Sequence, residues 1–144
     1  MKKFIALLFT ALLSMAFVSN FNSPSKQEEV GIKFKSIGIA KAKALSKESG
    51  KLIFIDACTS WCGPCKKMAA TSFKDPAVAE LYNEKFINLK IDCERDADGP
   101  AMARLYEIKA YPTLLLIDSE GTLIKKVMGL QSAEQLIEWA NTVD

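Results

Sequence analysis

The 144 residues, 49% hydrophobic and 25% charged, suffice for one buried core and read as a single globular domain. A formal net charge of +2 with no basic patch argues against a nucleic-acid-binding protein. The chain has no histidine, which excludes histidine general-base catalysis, His-ligated metal sites and haem attachment through Cys-x-x-Cys-His.

Met1-Lys2-Lys3 is a positive start, Phe4 to Leu13 is apolar except for Thr10, and Ser14-Met15-Ala16 supplies small residues. This is the pattern of a secretory signal peptide, assigned to residues 1–19. Its removal takes Lys2 and Lys3 and leaves 17 basic and 17 acidic residues. Phe4 to Val18 falls short of the roughly 20 apolar residues a membrane span needs, so cleavage is expected and an uncleaved anchor is the alternative. Export implies an oxidising, periplasmic compartment. Residues 20–30 are polar, carry Pro24 and read as a flexible leader to a domain spanning 31–144.

Within the domain, Ile32, Phe34 and Ile37 suggest a short strand. Ala40 to Glu48 reads as a helix ended by Ser49-Gly50. Leu52 to Ile55 is an apolar run of the buried-strand kind. Lys66 to Phe73 reads as a helix opened by Gly63-Pro64, and Asp75-Pro76 as the cap and first turn of another that runs to about Asn83. Phe86 to Asp92 alternates as a strand, with Ile87, Leu89 and Ile91 on one side. A helix over Asp98 to Tyr106, a hairpin of Thr113–Asp118 with Thr122–Met128, and an amphipathic helix over Ser132 to Thr142 complete the chain. The order is βαβαβαββα, an α/β fold with a central sheet and helices on both faces.

Residues 61–65 read Trp-Cys-Gly-Pro-Cys, at a strand-to-helix junction. A thiol at a helix N-terminus meets unpaired backbone N–H groups that stabilise its thiolate. Cys62 occupies that position and is the expected exposed, attacking sulfur. Cys65, about one turn further in, is placed to attack a mixed disulfide on Cys62 and release the partner. The pair is a two-electron dithiol/disulfide device.

Ile55-Asp56, Trp61-Cys62-Gly63-Pro64-Cys65-Lys66, Tyr111-Pro112-Thr113 and Gly129 follow one another in an order that resembles the thioredoxin family over roughly residues 31–144. The stretch Phe73-Lys74-Asp75-Pro76-Ala77-Val78 is similar to the branch of exported thioredoxin-like proteins and the thiol domains of membrane reductases. The resemblance implies a thioredoxin-like fold with a mixed sheet. It makes Cys62 the attacking and Cys65 the resolving thiol, and Asp56 the buried carboxylate that accepts a proton from Cys65. Burial on an apolar strand raises the pKa of such a carboxyl, whereas a solvated strand-end Asp is the plain alternative. Trp61, Gly63, Pro64, Tyr111, Pro112 and Gly129 are the implied substrate-binding residues. Pro112 would be cis, leaving the Tyr111 backbone free to pair with an extended substrate; a trans proline opening a strand is the alternative. Two departures stand out. Cys58 replaces the usual aromatic after Asp56. Asn88 stands where the family has a lysine, and Lys90 lies two residues on, which leaves open whether it reaches Asp56 and how that carboxyl is tuned.

In this fold Cys58 and Cys93 end neighbouring parallel strands, and a disulfide needs alpha carbons about 4.4–6.8 Å apart. A structural Cys58–Cys93 bridge and two free thiols packing as small hydrophobes both stay open. The expected function is that of an exported thiol–disulfide oxidoreductase, mainly a protein-disulfide reductase, with no cofactor and no metal. Its expected partners are disulfide-containing protein substrates and a membrane electron donor in a thiol–disulfide relay, with no nucleic acid, and the chain is expected to be a monomer. The alternatives are a disulfide oxidase or isomerase, and a non-catalytic binding module of the same fold. Three readings fit less well: a zinc site of Cys58, Cys62, Cys65 and Cys93, which do not give two well-spaced pairs; a Cu(I) carrier, for want of helper histidines; and a Thr59-x-x-Cys62 peroxidase, for want of the upstream proline. The acidic stretch Asp92 to Asp98 reads as a solvated loop.

Overall fold

The computed structural model describes residues 30–143; the expected signal peptide (1–19), residues 20–29 of the leader and residue 144 lie outside the described residues. The chain runs α1 (Ile39–Ser49), β1 (Leu52–Cys58), α2 (Gly63–Ala70), α3 (Pro76–Lys85), β2 (Phe86–Asp92), α4 (Gly99–Leu105), β3 (Thr113–Ile117), β4 (Leu123–Met128) and α5 (Ala133–Asn141), with a short 3-10 turn at Ser72–Lys74. The apolar runs of β1 and β3 explain the sheet order β2-β1-β3-β4, since both are buried and occupy its middle. β1 pairs parallel with β2 and antiparallel with β3, and β3 pairs antiparallel with β4. The result is the expected thioredoxin-like mixed sheet with helices on both faces.

Side-chain alternation in the strands divides the interior in two. Phe54, Leu114 and Leu116 point toward α2, α3 and α5, where Met68, Tyr82 and Leu136 meet them. Ile53, Ile55, Ile91 and Leu115 point to the other face, under Ala42 of α1 and Met102 of α4. Phe54 is a hub of rings, edge-on to Tyr82 at 4.8 Å and to Trp139 at 6.1 Å. Tyr82 also donates its hydroxyl proton to the Leu136 carbonyl at 2.9 Å, which ties α3 to α5.

Two elements differ from the sequence expectation. Ile32, Phe34 and Ile37 form no strand; residues 31–38 run beside the sheet, with Ile32 N–H bonded to Phe73 O (2.9 Å) and Lys35 N–H to Asn88 O (2.8 Å). Their side chains serve two cores, Ile32 and Phe34 packing with the first and Ile37 with the second, while the backbone makes only single bonds to its neighbours rather than a ladder. The helix expected at Lys66–Phe73 instead starts at Gly63 and breaks at Thr71 (φ −122°, ψ −86°). Asp75 restarts the chain as expected: its Oδ1 accepts from Ala77 N and Val78 N, with Pro76 in the first turn.

Candidate active site

β1 delivers the chain to the C-terminal edge of the sheet, the usual place for a site in an open α/β sheet. A tight turn, closed by Cys62 N–H to Thr59 O at 3.2 Å, feeds directly into α2. Cys62 is the N-cap of α2, and its Sγ accepts from Cys65 N–H at 3.1 Å. Pro64 sits in the first turn, where a missing N–H costs nothing. Cys62 and Cys65 are joined as a disulfide, with alpha carbons 5.3 Å apart. Cys62 was expected to be exposed; in the oxidised pair it is only 3% exposed and Cys65 2%. Tyr111 packs over both, and the exposed Trp61 stands edge-on to Tyr111 at 5.9 Å.

The Tyr111–Pro112 peptide bond is cis. Gly129 N–H donates to Pro112 O at 2.8 Å, which brings the end of β4 beside the proline loop. Gly129 adopts φ +91°, a left-handed conformation that favours glycine. Tyr111 thereby packs on the cysteine cluster with Trp61 beside it, and Pro112, next in the chain, is tied to Gly129.

Asp56 lies on β1 and is fully buried. Burial pushes its carboxyl above the usual range, opposed by the Lys90 ammonium. Lys90 Nζ donates to Asp56 Oδ2 at 3.1 Å, so Lys90 does reach the carboxyl. The parallel register pairs Asp56 directly with Lys90, so the two side chains emerge together on one face. Asn88 turns away, donating to Tyr82 O and Asn83 Oδ1. Asp56 Oδ1 and Thr59 Oγ1 are buried and lack a hydrogen-bond partner.

Cys58 and Cys93 are free thiols, both buried, so the candidate structural bridge is not formed. Their backbones do touch, with Cys93 N–H bonded to Cys58 O at 2.8 Å. Both thiols turn toward the Ile91 carbonyl, Cys58 Sγ at 3.6 Å and Cys93 Sγ at 4.0 Å, yet Cys58 clusters with Cys62 and Cys65, while Cys93 packs with Ile91 and Met102. Burial pushes the Cys58 thiol up to about 12, with the Asp56 charge adding to it. Burial likewise pushes Cys93 up to about 11, against the Tyr111 hydroxyl beside it.

Two further features escape a reading of the sequence. Glu94 Oε2 accepts from the Trp61 indole N–H at 3.0 Å, so the acidic loop anchors the tryptophan. The same loop is ordered by its own carboxylates, Asp92 accepting from Glu94 N and Arg95 N. A groove of about 760 Å³ also opens beside Cys65, walled by Cys58, Thr59, Cys65, Lys66 and Lys90.

Comparison with known proteins accords with this geometry. The Thioredoxin family model matches residues 40–142. A thioredoxin of Staphylococcus aureus is 34% identical over 96 residues, 65% of this chain and 83% of that protein. A candidate disulphide-isomerase of Bacteroides thetaiotaomicron superposes with a TM-score of 0.70 at 35% identity, covering 81% of this chain and 98% of that one. The oxidised C-terminal domain of Neisseria meningitidis DsbD does so with a TM-score of 0.60 at 25% identity, covering 72% of this chain and 90% of that one. The chain spans only 25% of the length of protein disulfide-isomerase 1 of Dictyostelium discoideum, to which it is 30% identical over 94 residues. Since the family match runs from the first helix to the last, this chain belongs to the thioredoxin family.

Proposed function

We propose that the protein is a thiol–disulfide oxidoreductase that works mainly as a reductase of protein disulfides in an extracytoplasmic compartment. The observation that carries this reading is the placement of Cys62 as the cap of α2, with the Cys65 N–H aimed at its sulfur and Cys65 buried behind it. In the reduced protein those N–H groups favour a Cys62 thiolate. The thiolate attacks one sulfur of a substrate disulfide, forms a mixed disulfide and expels the other substrate sulfur. Cys65 then attacks Cys62; its proton passes to Asp56, whose raised pKa and open Oδ1 suit that task. The Cys62–Cys65 bond reforms and the substrate leaves with two thiols. Trp61, Tyr111 and Gly129 supply the flat, partly apolar surface on which an extended substrate segment would lie.

A reductase in an oxidising compartment must be recharged, and the likeness to a DsbD C-terminal domain supports a thiol–disulfide relay from a membrane donor. The expected signal peptide supports export; N-terminal sequencing of the mature protein from a cell-envelope fraction checks it. Isomerase action is the second reading, favoured by the likeness to the Bacteroides protein. Insulin reduction followed by turbidity tests the enzyme itself: no turnover above the chemical reductant alone means a binding module. Equilibration with glutathione then separates directions. A potential near about −270 mV, that of a reference thioredoxin, supports a reductase, and one near about −120 mV supports an oxidase.

A further inference from the structure

Cys58 is a buried nucleophile with no part in the exchange just described. It lies two residues beyond Asp56 on β1, so strand alternation puts both side chains on the face that α2 covers. There it forms one buried cluster with Cys62 and Cys65 under Tyr111. Its Sγ–H reaches the Ile91 carbonyl at 3.6 Å, an acceptor that the Cys93 thiol also approaches, at 4.0 Å, and this weak tie is easily exchanged for another. Cys58 and Cys65 also wall the same groove of about 760 Å³, which leaves space for the sulfurs to shift. Asp56, two residues away, keeps Oδ1 without a partner.

We infer that Cys58 is a third exchanging thiol of this site, forming an alternative Cys58–Cys65 disulfide that sets Cys62 free. The inference rests on the Cys62/Cys65 couple being competent for exchange, as proposed above. In the step, Cys58 Sγ–H gives its proton to Asp56 and the sulfur bonds to Cys65 Sγ. The Cys62–Cys65 bond breaks, and its electron pair leaves on Cys62 as a thiolate held by the α2 N-terminus. One disulfide is lost and one is gained, so neither oxidant nor reductant is consumed. Burial and the Asp56 charge keep the Cys58 thiolate scarce, which makes this exchange slow beside substrate turnover. Its product is an oxidised protein that still presents a reactive thiol. A substrate captured on Cys62 in that state finds Cys65 occupied and is held as a mixed disulfide. That delay gives the substrate time to rearrange its own bonds.

The linkage is read directly from the oxidised full chain, incubated, alkylated and cleaved after Trp61 by chymotrypsin without reduction. A Cys62–Cys65 bond lies within one fragment, whereas a Cys58–Cys65 bond joins two fragments with the alkyl group on Cys62. The expected result is a joined, Cys62-alkylated fraction in the wild type that is lost in Cys58→Ser. Only Cys62–Cys65 fragments in the wild type would overturn the inference. Cys62→Ser gives an independent decision should Cys58→Ser not fold: mild oxidation is expected to produce one Cys58–Cys65 disulfide. Three free thiols, or a Cys58–Cys93 bond, would reject the third-thiol role. Insulin reduction by the wild type is scored separately, so loss of the Cys62/Cys65 couple is distinguishable from absence of the Cys58 exchange.

Discussion

Lys90→Met removes one charge and keeps most of the stem, so it isolates the ion pair beneath the active site. Lys90 Nζ lies 3.1 Å from Asp56 Oδ2. At that separation, and with an effective dielectric constant of about 20, the attraction is about 5 kcal/mol. The Lys90 side chain is 39% exposed, so solvent screening reduces the expected loss to roughly 1–3 kcal/mol at neutral pH. The pH dependence has a definite sign. Asp56 has a folded pKa raised above its unfolded value, so its contribution to stability is greatest below the unfolded carboxylate range near 3.8 and falls as pH rises through the folded value. Lys90 opposes that shift, so the variant extends the falling window upward. Urea unfolding is therefore expected to show a loss at neutral pH that vanishes in acid, where Asp56 is protonated in both proteins. The same change leaves less of Asp56 ionised and free to take a proton, and the rising limb of the insulin-reduction profile is expected to move to higher pH. Equal destabilisation at both pH values, or an unmoved profile, would refute the reasoning.

Cys65→Ser is expected to stop turnover while leaving Cys62 able to capture substrate, so mixed disulfides accumulate on non-reducing gels. Gly99→Ala places a Cβ against the Asp92 carbonyl oxygen and 2.9 Å from the Cys93 carbonyl carbon, both main chain. Because backbone cannot yield cheaply, it should cost more than about 2 kcal/mol, seen as a large fall in Tm. Tyr82→Phe removes the bond to Leu136 O and is expected to cost about 1 kcal/mol in the same assay. Glu94→Ala frees the Trp61 indole, and the expectation is a changed Trp61 fluorescence anisotropy with KM for insulin raised and kcat retained. A matching loss in kcat would mean that Glu94 supports the chemistry rather than the docking surface.

The parts of the fold written in local chemistry were legible from the residues. The apolar runs became the buried strands, Asp75-Pro76 became a capped helix start, and Ser132 became the N-cap of α5 with Gln135 completing a capping box. The cysteine pair was legible for the same reason, since a thiol at a helix start is a local arrangement. What escaped depends on register between strands distant in sequence. Lys90 looked displaced when counted along β2, yet the parallel pairing sets it opposite Asp56. Cys58 and Cys93 looked like a pair when only strand ends were considered, and the structure keeps them as two free thiols in different side-chain clusters. The Glu94 anchor of Trp61 spans 33 residues and has no periodic signature.

The stretch of chain that precedes α1 has a consequence for self-association. By lying against β2 through Lys35 and Asn88, it shields one rim of the sheet from outside strands. The opposite rim, β4, bears Lys125 and Lys126 at its centre, cationic side chains of the sort that discourage rim-to-rim stacking of copies. Replacing both lysines with valine would leave a bare apolar ribbon, inviting fibrous aggregation in a protein whose dithiol remained intact.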